Sequence, residues 1–536
     1  MSIYKTADVY TEEVSTSPPS VGQVSTAIPA FIGYTERSGG PTAAVRISTF
    51  LEYKETFGGA ESTAFSVTVD ANDNITEISN AAPSSTLYYA LDLYFKNGGG
   101  ACYVISVGNY GDTVSKDAFL QGLDALAKED EPTLIMLGEA VNLEAPDYYE
   151  VCQAALAQCE NLKDRFCIFD VREDDTRGED FRNGIGTNSL KYGAAYTPFL
   201  QTSLTYRYKD ADVSISGSAS AEILSFDAGS IRISYTGSAN DAPKFKINKG
   251  TGNVLEFSIT DNVLTIANVG EGVAVSALLQ AWDGFAGKGN FNISKLGNDT
   301  DLVVSVAQTS LVISSSNTFS LEEAKNTKTA LYSKVASALA KQRIVLPPSA
   351  GVAGVYAKTD RERGVWKAPA NVSLSAVIAP TTKITSADQE NLNLDPNAGK
   401  SINAIRSFFG KGTLVWGART LAGNDNDWRY IPVRRLFNMI EESTKKASQF
   451  AVFEPNDAAT WLKVKAMIDS FLYGIWQQGA LAGSTAEQAY FVNIGLGKTM
   501  TQQDILEGRM IVEIGIAAVR PAEFIILRFS HKLQEA

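Results

Sequence analysis

The chain has 536 residues, of which 44% are apolar and 20% charged, with a formal net charge of −13. That length allows three or four domains with sizeable cores. The acidic balance argues against nucleic acid as a main partner, and without a run of 18 apolar residues no membrane insertion is expected. The single histidine, His531, leaves no basis for a histidine triad or a histidine metal cluster.

In chain order, Val9-Tyr10-Thr11-Glu12-Glu13-Val14 reads as a short strand, followed by the flexible stretch Ser15 to Ser20. A second strand is predicted over Ile28 to Tyr34 and a third at Val45 to Ile47. A short helix from Phe50 to Phe57 then stops at Gly58-Gly59. Residues 60–83 are polar, a loop or hairpin. From 84 to 200 helix and strand alternate. Ser84 or Ser85 caps a helix carrying Leu87, Leu91, Tyr94 and Phe95; strands follow at 102–107, 133–137 and 166–171, with helices between them. The four cysteines, Cys102, Cys152, Cys159 and Cys167, lack metal-ligand spacing and read as buried reduced thiols, which fits synthesis in a cytoplasm.

Residues 205–318 change character. Ser, Thr, Gly and Asn dominate, and short alternating runs such as Ile231 to Tyr235 and Val263 to Ile266 predict an inserted all-β domain, with one helix near Ser276 to Trp282. A helix capped by Ser320 follows, with Leu331, Val335 and Leu339 as its stripe. Residues 346–400, rich in proline, read as largely extended and loop-like. Beyond them Gly412 to Gly417 is a strand and Pro432 opens a helix with Glu441–Lys445 and Glu442–Lys446 pairs. Phe450 to Phe453 reads as a strand, and Asn456 caps a helix carrying Trp461, Val464, Ile468, Phe471 and Ile475. Two apolar runs, 509–520 and 521–529, close the pattern, hinged at Pro521. An apolar strand near a chain end needs a sheet edge, and that edge can belong to another molecule.

Charge is uneven. From Ile402 onward 15 Lys or Arg face 13 Asp or Glu, so residues 1–401 carry −15 and the last quarter +2. The acidic part is expected in solvent and the last block against a different neighbour.

Three features suggest chemistry and fall short of it. Gly497-Lys498-Thr499 resembles the end of a P-loop, but Val492 stands where the first glycine belongs. Asp170, Glu173, Asp174 and Asp175 follow a strand, where a magnesium or acid/base site could lie, yet read as a solvated acidic loop. Trp366, Trp416, Trp428, Trp461 and Trp476 read as packing rather than a sugar platform. No catalytic residue, metal or cofactor is assigned.

Several stretches resemble the contractile tail sheath family of phage tails, phage-tail-like bacteriocins and extracellular contractile injection systems. They are Val9 to Val14, Gly22 to Gly33, Pro347 to Gly354, Asp360 to Pro369, Ile402 to Arg406, Val415 to Arg419, Trp428 to Arg435, Phe453 to Asn456, Gly508-Arg509 and Pro521 to Phe524. Residues 205–318 do not visibly match. The resemblance implies a multidomain α/β fold: an N-terminal strand arm and linker (1–26), an inner α/β core (27–60 plus 400–515), a middle α/β domain (84–204 plus 319–399), the inserted outer β domain (205–318) and a C-terminal strand arm (516–536). It also implies a non-enzymatic subunit that stacks in six-fold rings around an inner tube, assembles in a bacterial cytoplasm, meets baseplate and terminator proteins, and contracts without a nucleotide. Val9, Tyr10, Val14, Phe524, Ile525, Ile526, Leu527 and Phe529 would be the inter-subunit arm residues. Lys445, Lys446, Lys463 and Lys465 would be inner-tube contacts. The alternative is a surface-binding, adhesin-type protein with the β insertion as recognition module.

Overall fold

The computed structural model describes residues 21–38, 43–70, 72–80, 83–238, 241–251, 254–395 and 397–527. The chain divides into two compact units, one of residues up to Gly59 with Ser85–Ser203 and from Val345 onward, the other of Ala60–Ser84 and Leu204–Ile344.

In the first unit, a nine-stranded sheet runs in the order Val372–Ser373, Gly412–Val415, Ile402–Phe408, Gly193–Thr197, Phe166–Asp170, Leu134–Met136, Pro29–Thr35, Cys102–Asn109, Ala44–Ile47. The six strands from Ile402–Phe408 to Cys102–Asn109 are parallel. Pro29–Thr35 is buried at every position, as a parallel strand covered on both faces must be. One face packs Ile32, Ile105 and Cys167 with Phe119, Leu123, Cys152 and Leu156 of helices Lys116–Leu126 and Ala145–Leu162. On the other face, Phe31 meets Tyr94 of helix Leu87–Lys96, and the Tyr196 hydroxyl bonds that of Tyr356 at 2.8 Å on helix Ser349–Arg363. All four cysteines are buried.

The helix Ser349–Arg363 overturns the extended reading of 346–400. Every residue from Ser349 to Ala357 is buried, so the helix has no polar face there and therefore no 3.6-residue signature. Its small residues serve close packing: a Cβ on Gly354 would stand 2.6 Å from the Tyr94 carbonyl oxygen. A second helix, Ser386–Asn393, is closed by a Thr385/Asp388 capping box. Other local readings change as well. The residue at the cap position is Thr86, without a side-chain cap bond, while the Ser85 hydroxyl donates to Glu139 at 2.6 Å and the helix begins at Leu87. Phe450–Phe453 is no strand: a 3-10 turn spans Ser448–Ala451 and Phe453 has φ +68°. Asp457, not Asn456, caps helix Ala458–Gln477; Asn456 instead accepts from Trp461 Nε1 at 2.7 Å. Glu441 pairs with Arg434 rather than Lys445.

Past the sheet, helices Ile431–Ala447 and Ala458–Gln477 share a core with a two-stranded antiparallel sheet, Tyr490–Ile494 against Val512–Ile516. Residues 521–527, expected as a second closing strand, have no strand partner among the described residues.

The second unit joins strands Phe291–Lys295, Ile231–Tyr235, Val213–Ala228, Phe65–Val69 and Ile75–Asn80 in order, with Val312–Ser320 also paired to Val213–Ala228. A four-stranded sheet, Glu256–Thr260, Val263–Val269, Lys244–Lys249 and Val306–Ser310, lies in the same unit. Helix Val275–Asp283 buries Trp282 in its core, and helices Leu321–Thr327 and Thr329–Leu339 complete it. The unit is therefore mixed rather than all-β. It is wider than 205–318, since it takes in the 60–84 hairpin through pairing of Phe65–Thr68 with Val213–Ser216. The expected inner core and middle domain fall largely in the other unit, because their strands share one sheet.

Candidate functional site: two anchored segments

The segments expected to become arms leave the first unit from two polar anchors. The first holds residues 21–28. Arg435, on the first turn of helix Ile431–Ala447, is 3% exposed and pairs with Asp360 through two nitrogens at 3.0 and 2.5 Å. The same guanidinium donates to the Thr26 carbonyl at 2.7 Å, and the Thr26 hydroxyl donates to Asp360 at 2.6 Å. It also lies 4.6 Å from the Tyr356 ring centre. About two helical turns on from Arg435, Ser443 Oγ accepts from Val24 N at 3.1 Å, and Ile28 N donates to Thr133 Oγ1 at 2.9 Å. Residues 24–26 are thus pinned to a helix more than 400 positions away, and Ile28 to Thr133, 105 positions away. Neighbouring Arg434 stacks on Trp428 at 4.2 Å and bonds Asn438 and Glu441, both at 2.8 Å. The Trp428 to Arg435 stretch is a set of buried cations that fixes where this helix sits.

The second anchor holds the Pro521–Phe524 stretch. Glu523 receives Arg419 Nε at 3.0 Å and Nη2 at 2.6 Å, Asn393 Nδ2 at 2.9 Å and the Tyr430 hydroxyl at 3.4 Å. Burial would raise the Glu523 carboxyl, but these donors, Arg419 foremost, hold it below the usual carboxylate range. Immediately beyond, Phe524, Ile525, Ile526 and Leu527 are 66–80% exposed. Four consecutive exposed apolar side chains thus follow a fixed ionic anchor, uncovered among the described residues. Val9, Tyr10, Val14 and Phe529 lie outside the described residues.

The four candidate tube lysines sit on two helices and differ in state. Lys446 pairs with Asp130 at 2.7 Å and Glu442 at 3.4 Å, Lys445 with Glu442 at 3.2 Å, and Lys465 with Asp469 at 2.7 Å. Lys463 is exposed and has no ion pair among the described residues. Gly497–Thr499 forms a tight turn closed by Lys498 N to Gly495 O.

The presumed acidic loop is not a loop at its start. Asp170 is buried at the end of its strand and accepts from Ser349 N at 2.7 Å, capping helix Ser349–Arg363. Glu139 does the same for helix Leu87–Lys96, accepting from Thr86 N at 2.6 Å and Leu87 N at 2.8 Å as well as from Tyr34 N. Sequence pattern missed both, because each carboxylate caps a helix far away in the chain. Burial raises the Asp170 carboxyl to about 7 despite the Ser349 bonds. A carboxyl raised in the folded state favours folding below the ordinary carboxylate pKa and loses that contribution as pH climbs to about 7. Asp170→Asn keeps an acceptor for Ser349 and removes the titration. Relative to wild type it should gain stability between pH 5 and pH 8, on the order of 2 kcal/mol. Thermal melts of both proteins at the two pH values check this, and an unchanged difference would rule it out. Among the described residues no three His, Cys, Asp or Glu side chains converge as metal ligands, and no helix is long and apolar enough to cross a membrane.

A doubly covered parallel sheet, an appended helical core with a two-stranded sheet, and two anchored segments, the second followed by the exposed apolar run Phe524–Leu527, are the features to set beside known proteins. Residues 423–532 match the phage tail sheath C-terminal domain. The tail sheath protein of Vibrio phage KVP40 is 24% identical over 185 residues, 34% of this chain and 26% of the relative, so the match spans about a quarter of that relative's length. Over nearly full length, the chain resembles a chain of the anti-feeding prophage baseplate (29% identity, TM-score 0.57, 99% of this chain and 100% of that one). It also resembles a chain of the PVC extracellular contractile injection system sheath in its contracted state (27% identity, TM-score 0.58, 100% and 99%). The chain is thus similar to contractile tail sheath proteins, with the family's C-terminal domain matched over residues 423–532.

Proposed function

We propose that this protein is the structural, non-enzymatic subunit of a contractile sheath that assembles as stacked hexameric rings around an inner tube and shortens to drive the tube through a target envelope. The observation that carries the reading is the ion-paired anchor at Glu523 followed by the exposed apolar run Phe524–Leu527, in a chain whose whole length resembles contractile-particle subunits. The two-stranded sheet Tyr490–Ile494/Val512–Ile516 supplies the receiving edge. A two-stranded sheet is marginal by itself, and Phe491 and Ile511 beside it are partly exposed. Arms of neighbouring subunits would add strands there, each backbone hydrogen bond contributing roughly 1 kcal/mol. The Ser-, Thr- and Pro-rich sequence of residues 15–20 would serve as a linker while the links hold. Assembly would take place in a bacterial cytoplasm before the particle leaves, with baseplate and terminator proteins at the ends. Val9, Tyr10, Val14 and Phe529 belong to the proposed arms.

Negative-stain microscopy of the chain, alone and with its tube protein, tests the reading. Hollow helical cylinders support it; monodisperse monomers with the tube present overturn it. Removing residues 520–536 should abolish cylinders while leaving the melting curve of the core in place. For the tube contact, Lys463 is the strongest of Lys445, Lys446, Lys463 and Lys465, because it has no intramolecular carboxylate to give up. Lys463→Glu should lower tube co-sedimentation several-fold, whereas Lys465→Glu, which loses only Asp469, should matter less. Equal, wild-type co-sedimentation of both would remove lysine contacts from the proposal.

A further inference from the structure

The first unit carries a protrusion and a cleft at opposite ends of its sheet. Strands Ile402–Phe408 and Gly412–Val415 form a hairpin whose last parallel pairing to the neighbouring strand is Ala404 with Thr197. Phe408 stands four residues further on, so the tip projects roughly 13 Å past that strand. Its base is stiff: Phe408 packs on Trp416 at 4.5 Å, and Arg406 lies over Phe408 and bonds Gln389 at 2.7 Å. At the tip, Phe409 is fully exposed and Lys411 is exposed with no ion pair among the described residues. Gly410 and Gly412 have positive φ and nothing within 4 Å of an added Cβ. A rigid, fully exposed aromatic beside a free ammonium has the composition of a binding anchor.

The cleft, of about 410 Å³, opens beside Ser25, Thr26, Asp130, Thr133, Asp164 and Met439. Thr133 and Asp164 precede the strands Leu134–Met136 and Phe166–Asp170, so it lies at the amino end of the same parallel sheet whose carboxyl end bears the hairpin tip. Phe166 and Met439 floor it. Asp130, Glu131, Asp164 and Glu442 line it with Arg435 and Lys446; Glu131 and Asp164 are already paired with Arg46 and Arg165, so its acidic side is Asp130 and Glu442. Glu442 is 7% exposed, and its Oε1 is buried without a hydrogen-bond donor, with only the Lys446 ammonium near it at 3.4 Å. Lys445 holds the other Glu442 oxygen at 3.2 Å, and Asp130, exposed at the rim, is the carboxylate that an incoming ammonium reaches first.

Tip and cleft face away from each other in one body and cannot meet within a copy. We propose that the Phe409–Lys411 tip of one subunit seats in this cleft of the next, Phe409 on the Phe166/Met439 floor and Lys411 at the Asp130/Glu442 side. Such a contact is heterologous, and repeated head to tail it yields a ring or a helical stack. It rests on the sheath reading and adds to it a contact independent of the arms.

The test uses the full chain co-expressed with the tube protein of its own particle. Zero-length carbodiimide crosslinking of wild-type assemblies from isotopically light and heavy copies should join Lys411 of one to Asp130 or Glu442 of another. Phe409→Ala, Lys411→Asp and Asp130→Lys should each cut pelletable assembly about tenfold, and Lys411→Asp with Asp130→Lys should restore much of it. Phe409, Lys411 and Asp130 are exposed, so unchanged circular dichroism is expected. Assembled wild type in which Lys411 crosslinks elsewhere, or variants that pellet like wild type, would overturn the contact and leave the sheath reading standing. A wild-type chain that never assembles would overturn both.

Discussion

Glu523→Gln is expected to leave the folded core intact and to release the segment behind it. The carboxylate takes two charge-assisted bonds from Arg419, itself 3% exposed, and one from Asn393. Replacing a partly buried ionic fork by a neutral amide should cost about 2–3 kcal/mol of docking, a factor of roughly 30–150 in the anchored population. Residues 521–527 have no strand partner among the described residues, so besides the exposed Arg520–Asp427 pair at 3.7 Å the Glu523 contacts are the main tie that opposes release. Limited proteolysis with chymotrypsin should cut after Phe524 or Leu527 far faster than in wild type, while the melting temperature of the core stays within a degree or two. Cylinder formation should fall in parallel. Acid should imitate the mutation: a carboxyl held below its ordinary value favours docking above that value and stops doing so as pH falls through the lowered one. Equal proteolysis rates for mutant and wild type would show that Glu523 is not the anchor.

Arg435→Met is expected to damage the fold itself. Asp360 would remain at the bottom of the anchor with only the Thr26 hydroxyl, in a site where the Arg435 and Asp360 side chains are 3% and 6% exposed. An unpaired buried carboxylate costs about 3–5 kcal/mol, and the Thr26 carbonyl loses its donor as well. A fall in melting temperature of roughly 5–10 °C should follow. Arg435→Met combined with Asp360→Leu should recover part of the loss, since removing both charges leaves neither stranded. A double variant as unstable as the single one would mean that the cost lies in packing against Tyr356, 4.6 Å from the guanidinium, rather than in the charge.

Elements whose cause is local were legible in the residues. Helix Phe50–Phe57 stops at Gly58 with φ +93°, and helix Ile431–Ala447 begins with Pro432 in its first turn. The buried parallel strands read as unbroken apolar runs because neither face meets water. Helix Ser349–Arg363 was illegible for the same reason: burial on all sides erases the periodicity that marks a surface helix. The strand reading of Phe450–Phe453 failed because four apolar residues fit a strand or a helix end equally well. Of the candidate site, the exposed run Phe524–Leu527 was visible as apolar sequence. The donors that fix Glu523 were not, since Asn393 and Arg419 lie 130 and 104 residues away.

By itself the sequence determined the alternation of strand and helix, the apolar segment after Pro521 and the resemblance to contractile sheaths, all of which depend on residue order within short windows. Only the tertiary structure decided which carboxylates are buried caps, which lysines are already paired, and that a hairpin tip and an acidic cleft stand at opposite ends of one sheet. The physical reason is distance along the chain. A side chain's charge state and exposure depend on neighbours in space, and for Arg435, Asp170 and Glu523 those neighbours lie from 75 to more than 400 residues away.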